Sequence, residues 1–319
     1  MCSNSEFTKA IKKISTPLPG STPQAIVYKL TVKKRFERLS IIDFFKQAVP
    51  RSSKDVWVTK IKSGNLTVNG KTITTDYIVK AGDLTQHSSE PKIEPEINTN
   101  IKLIYEDDSI LVIDKPSPLP MHASGRYYRN TLLHILTLAF PDKDLKLIHR
   151  IDANTTGVVV LAKGKEVANT IREQFEVKSV KKTYLALVEG LVKENNITSK
   201  QSIGNEVLVG GARKIDNTGK TAETNIKVLE RRTKNNETLL SITPLTGRTN
   251  QIRLHLANIG HPIVGDKGHK NPDYFKSNPF TYPTDSLFLH AHKLSLKHPT
   301  TKKEINFEAP IPGKFKALL

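Results

Sequence analysis

The stretch HRIDANTTGVVVLA, His149 to Ala162, sets a charged turn directly before an apolar run. Arg150 stands two residues before a carboxylate, Asp152, and the small hydroxyls Thr155 and Thr156 follow, then Gly157. The run VVVLA, Val158 to Ala162, is short, apolar and mostly β-branched, which predicts a buried strand. Asp152 therefore sits on a turn that feeds a core strand, a position from which a rigid scaffold presents reactive groups. The residues also allow a purely structural reading, in which the Asp152 carboxylate closes its own Asx-turn.

Working outward, two further stretches combine reactive side chains with a clear pattern. KKTYLALVEG, Lys181 to Gly190, alternates, so Tyr184, Ala186 and Val188 share one face of a strand. Tyr184 is then either a core aromatic or a group lining a site. TGRTNQIRLHLANIGHPIVGD, Thr246 to Asp266, carries a helical stripe of Ile252, Leu256 and Ile259. Gly260 suits a helix C-terminus, and Pro262 forbids continuation. Arg248, Arg253 and His255 fall off the apolar stripe, as a basic face touching phosphates would.

The composition narrows the partner. In 319 residues, Lys plus Arg number 49 against 31 Asp plus Glu, a formal net charge of +18. Such an excess favours polyanions, nucleic acid before an anionic membrane. The sole cysteine, Cys2, excludes a disulfide framework and a Cys-based zinc site, and suits a reducing compartment. The N-terminus has no apolar signal core, and no apolar run approaches the ~20 residues of a membrane helix. A cytoplasmic protein with no membrane association is expected.

The hydrophobic 37% of the chain is enough for two domains at this length. Residues 1–27 are polar with three prolines and read as a mobile tail. Residues 28–87 hold two helical segments, one ending at Pro50 and one over Lys54 to Lys62, and then NLTVNGKTI. Its Asn69-Gly70 pair predicts a type I′ hairpin. Residues 88–100, SSEPKIEPEINTN, read as a linker. Residues 101–319 hold strand patterns at 110–113, 182–188, 223–229, 238–243, 287–296 and 304–307, with helices at 132–140 and 165–177. Residues 194–220 lack a period and read as a long loop or a loose extra hairpin. Adjacent strands outnumber helices, which predicts an α+β fold with a mixed, largely antiparallel central sheet and flanking helices.

HRIDANTTG resembles the HRLDxxTSG motif of the RluA-type pseudouridine synthases, with Ile151 for Leu and Thr156 for Ser. KKTYLALVEG matches the family's KxYxAxVxG strand, and TGRTNQIRLHL its GRTHQIRxHL, with Asn250 where the family has His. HASGRYYRNTLLHIL, His122 to Leu136, and the C-terminal stretch Leu287 to Pro312 resemble two more family segments, so five motifs stand in family order over residues 101–312. Residues 38–87 resemble an S4 RNA-binding domain, with Arg51, Lys54, Lys60 and Lys62 clustered.

The resemblance implies the pseudouridine synthase fold and isomerisation of uridines in structured RNA, tRNA or rRNA, with GRYYRNT inclining to tRNA. It implies Asp152 as the catalytic carboxylate, with Tyr184 and Arg253 as its active-site partners. His149, Arg150, Thr155, Arg248, Gln251 and His255 are carried over as RNA contacts. No cofactor, metal or obligate protein partner is implied, and a monomer is expected.

Detaching uracil from C1′ and rejoining it through C5 needs a group that meets positive charge at C1′, as a glycosidase carboxylate does. An arginine beside that carboxylate offsets its desolvation. The base must leave its stack at a cost of a few kcal/mol, and Arg150 is placed to fill the space it leaves. Rival motifs fail: Ile151 interrupts a kinase HRD, with no DFG after it, and Asn65 stands where a P-loop before Gly70-Lys71-Thr72 needs Gly. The alternative from another class is a non-catalytic S4-type RNA-binding protein, which would have no need of Asp152, Tyr184 and Arg253 together.

Overall fold

The computed structural model describes residues 3–50, 52–206, 212–270 and 287–316. They divide into two compact units: Thr22–Ile93, and Glu94–Leu319 together with the N-terminal Met1–Ser21.

The smaller unit has a four-stranded sheet in the order β1-β4-β2-β3, from Val27–Thr31, Leu84–Ser88, Leu66–Val68 and Lys71–Thr72. Helices α2, Ile41–Ala48, and α3, Lys54–Lys62, pack on it through Phe44, Phe45, Trp57 and Ile61. Asn69 and Gly70 both take positive φ, 51° and 77°, as a type I′ hairpin between β2 and β3 demands.

The larger unit is built on one ten-stranded sheet. Its strands are β5 Lys102–Glu106, β6 Ile110–Lys115, β7 Leu145–Leu147, β8 Thr156–Lys163, β9 Lys181–Glu189, β10 Asn196–Ser199, β11 Thr224–Arg232, β12 Glu237–Pro244, β13 Leu289–Lys297 and β14 Glu304–Glu308. The order is β10-β11-β12-β9-β13-β8-β6-β5, with β14 on β13 and β7 on β8. All pairings are antiparallel except β13 with β8, so the sheet is mixed and largely antiparallel, as the pattern predicts. β10 falls within 194–220, the stretch read as a loop or loose hairpin, and joins the edge of the sheet.

That parallel join shapes the site. Gly157 pairs with Ala291 and has φ +115°, and a Cβ there would lie 2.1 Å from the Ala291 carbonyl oxygen. Only glycine lets β13 come this close to the turn that carries Asp152. β8 is buried on both faces: Val159 and Leu161 pack under α4, Leu132–Ala139, and Val158, Val160 and Ala162 under α5, Lys165–Glu176. This explains why β8 reads as a continuous apolar run. Helix α6, Gln251–Asn258, lays Ile252 and Leu256 on β9 and β12.

One expectation about the N-terminal end of this unit is corrected. Residues 4–15 are not a mobile tail but a helix, α1, Asn4–Ser15, with a capping box between Ser3 and Glu6. Its Phe7 and Ile11 are buried in the same core as α4, and Phe7 stacks on Phe140 at 5.1 Å. The boundary between the units falls inside the 88–100 stretch, and its two ends are tied down. The Glu94 carboxylate accepts backbone N–H bonds from Tyr128, Arg129 and Asn130 at 2.8–3.0 Å, and Ser88 closes β4.

Candidate active site

Three segments converge on one cleft of about 570 Å³, lined by Asp152 and Arg150, by Tyr184 and Lys182, and by Arg248 and Arg253. The Asp152 turn is closed by main chain, Thr155 N–H donating to the Asp152 carbonyl at 3.0 Å. The carboxylate instead reaches across to α6, so the Asx-turn reading does not hold. Arg253 Nη1 donates to Asp152 Oδ2 at 3.1 Å and Asn250 Nδ2 to the same oxygen at 3.0 Å. Residues 250 and 253 lie one helical turn apart and so share a face.

The guanidinium is itself gripped. Arg253 Nε and Nη2 donate to Asp266 Oδ2 and Oδ1 at 2.7 and 2.8 Å, a bidentate pair that fixes the plane of the fork and aims Nη1 at Asp152. Burial alone would raise the Asp266 carboxyl, but the bonds from Arg253 and His269 outweigh it and hold the group well below the usual carboxylate range. Burial works against the Arg253 charge, yet Asp266 and then Asp152 push that group above its ordinary value. The result is a fixed cation with a partly exposed carboxylate on its open side, since Asp152 keeps 24% of its side-chain surface and Asp266 only 1%.

Tyr184 lies on β9 beside this pair. Burial raises its phenol, and the Asp152 charge raises it further, so the hydroxyl stays protonated at neutral pH. Lys115, at the end of β6, is fully buried and donates to the carbonyls of Pro116, Leu119 and Ala153 at 2.8–3.0 Å. Burial pushes its ammonium down to about 7, against the pull of Asp152 and Asp114. It thereby ties the residue after Asp152 to β6. Neither Lys115 nor Asp266 carries a motif signal for this role in the sequence.

Four expected RNA contacts also make hydrogen bonds within the protein. His149 Nε2 accepts from the Val160 N–H at 3.0 Å, and its ring stacks on Phe175 at 5.2 Å. Burial, helped by Lys182, pushes this imidazole down to about 3, so it stays neutral and orients the turn. Thr155 is 1% exposed and supplies the turn's backbone bond. Gln251 accepts from Thr246 Oγ1 and the Arg248 N–H, and donates to the Glu223 carbonyl and Thr224 Oγ1, at 2.7–3.0 Å. Thr224 Oγ1 lies 2.9 Å from His255 Nδ1, and His255 Nε2 donates to the Gln201 carbonyl at 2.9 Å. His255 is fully buried. Each of these groups serves the rule that buried polar atoms find partners.

His149, Thr155 and Gln251 line the cleft together with Arg150 and Arg248, and Lys178 and Lys182 join them. On α3 of the smaller unit, Lys54 and Lys62 are exposed, while the Lys60 ammonium donates to the Ser88 carbonyl. Arg51 lies outside the described residues.

Comparison with known proteins fits this geometry. Residues 109–258 match the family described as RNA pseudouridylate synthase. The chain is 33% identical over 311 residues to "Ribosomal large subunit pseudouridine synthase C" of Buchnera aphidicola subsp. Baizongia pistaciae (strain Bp), covering 91% of this chain and 96% of that one. To the protein of the same name from Vibrio parahaemolyticus serotype O3:K6 (strain RIMD 2210633) it is 31% identical, covering 88% and 91%. Among solved structures, "Human RNA Pseudouridylate Synthase Domain Containing 1" superposes with a TM-score of 0.55 at 28% identity, over 69% of this chain and 86% of that one. A mixed sheet carrying a carboxylate-bearing turn against an arginine-bearing helix is thus an RNA-modifying isomerase scaffold. The chain belongs to the RNA pseudouridine synthase family, its partner is RNA, and the purely RNA-binding alternative is set aside.

Proposed function

We propose that this enzyme isomerises uridines of large-subunit ribosomal RNA, with Asp152 as the carboxylate that meets C1′. The observation that carries the catalytic assignment is the Asp152 carboxylate at the cleft, held by Arg253 and Asn250 through one of its two oxygens. The substrate assignment rests on the relatives of nearly equal length, which are named for the large ribosomal subunit. It moves the expectation from tRNA towards rRNA.

In the proposed course, the C1′–N1 bond breaks and its electron pair leaves with uracil. Asp152 meets the charge at C1′, the base turns, and C5 supplies the pair for the new C–C bond. One proton leaves C5 and one is taken up at N1, so the product is an isomer and no oxidant or reductant is required. Tyr184 faces the base as a neutral phenol. Burial is the larger cause of its raised phenol and the Asp152 charge the smaller one. Arg253 holds the carboxylate, and Arg150, exposed at the mouth, occupies the space the flipped nucleotide leaves. The unit Thr22–Ile93 acts as an S4-like RNA-binding domain, and the enzyme works as a cytoplasmic monomer.

Mapping pseudouridines in ribosomal and transfer RNA from cells with and without the gene tests the substrate. The proposal expects sites lost in large-subunit rRNA and tRNA left intact. Loss confined to tRNA would refute it.

A further inference from the structure

We infer that Asn250 is a positioning residue that fixes which oxygen of Asp152 faces the substrate. The inference rests on the reading of Asp152 as the catalytic carboxylate. Asn250 occupies the N-cap of α6, where asparagine is among the strongest capping residues, yet its side chain makes no capping bond. Its backbone is left-handed, φ 57° and ψ 19°, a conformation asparagine tolerates better than most residues. That backbone turns the amide away from the helix and onto Asp152 Oδ2 at 3.0 Å. A carboxylate only accepts, so the amide must present its N–H₂ and not its oxygen.

The helix start is held independently of the Asn250 side chain. Gln251 locks it to Thr246, Arg248 and Thr224, and the Leu254 N–H reaches the Asn250 carbonyl at 2.9 Å. The Asn250 amide is therefore free to serve the carboxylate. Its donor and Arg253 Nη1 converge on the same oxygen, Oδ2. Two donors on one oxygen stop the carboxylate from turning about its Cβ–Cγ bond and direct Oδ1 as the oxygen presented to C1′. The amide does this without charge. A second cation would stabilise the free carboxylate further and weaken it as the group that meets C1′, whereas an amide orients it at every pH.

Asn250→Gly tests this, because glycine keeps the left-handed backbone and removes only the amide. Single-turnover pseudouridine formation at saturating RNA should fall roughly 10- to 100-fold, the range for a hydrogen bond to a charged group, with RNA affinity unchanged. Asn250→His returns a donor to the same place and should recover most of the rate. It should also add an inflection near the histidine range, about pH 6–7, which neither the wild type nor Asn250→Gly has. A wild-type rate in Asn250→Gly, or a loss wholly explained by weaker RNA binding, overturns the inference. Asp152→Asn is the control that separates the two claims. If it is inactive while Asn250→Gly is normal, only the role of Asn250 fails. If it is active, the reading of Asp152 fails first.

Discussion

Asp152 and Arg253 meet from positions 101 residues apart, and a third residue holds the arginine in place. Asp266 takes two of the guanidinium donors and leaves Nη1 for Asp152. Arg253→Met therefore leaves a carboxylate that is 3% exposed with only its contacts to His269. The cost should be roughly 3–5 kcal/mol near pH 7. The sign of its pH dependence follows. With its partner, Asp266 titrates below an unfolded aspartate and adds stability above about pH 4 that is lost on acidification. Without Arg253, burial dominates, its carboxyl rises, and protonation relieves the penalty. Denaturation of wild type and variant between pH 7 and pH 4 should show the gap narrowing as pH falls, and a constant or widening gap would contradict the ion-pair account. The same scale shows where sequence reading stops. Gln251 and His255 sit off the apolar stripe of α6, which reads as a solvent face. They are buried because β11 offers them a polar partner, Thr224, and hydrophobic periodicity cannot register a buried contact between two polar groups.

At the scale of elements, the hairpin at Asn69-Gly70, the strand β8 and the stripe of α6 were all legible, because each is dictated by local chemistry or by its own periodicity. Helix α1 was not. Its capping box and the spacing of Phe7 and Ile11 are in the sequence, but lysines and the prolines that follow mask them. The helix is fixed by packing against α4, a contact that no single segment reveals. Phe7→Ala should cost about 3–5 kcal/mol, as for a fully buried aromatic, and lower the urea midpoint of the larger unit. An unchanged midpoint would return residues 4–15 to the role of a tail. The bonds that anchor Glu94 within the 88–100 stretch were not legible for a similar reason. Glu94 is one polar residue among many until the backbone N–H groups of 128–130 are seen around it.

Over the whole molecule the net charge is +18, with five cations lining the cleft and Lys54 and Lys62 exposed on α3 of the smaller unit. A truncation at residue 100 would be a poor probe of that unit, because it also removes α1 and Glu94 from the catalytic one. Lys54→Gln with Lys62→Gln is cleaner, since both side chains are exposed on α3. If each meets an RNA phosphate, the slope of log K against log salt should become shallower by roughly one unit per lysine, with the single-turnover rate at saturating RNA unchanged. An unaltered slope would show that this face does not contact RNA. The two-unit division and the character of the sheet were legible from patterning, while the assignment of Met1–Ser21 to the larger unit was not.

The central claim is that Asp152 acts chemically and not as an RNA contact. The most direct measurement is single-turnover pseudouridine formation by Asp152→Asn at saturating RNA, with RNA affinity determined on the same preparation. Asparagine keeps the size of the side chain and removes its charge. The account predicts no detectable isomerisation with near-normal affinity. Substantial isomerisation by Asp152→Asn would contradict it.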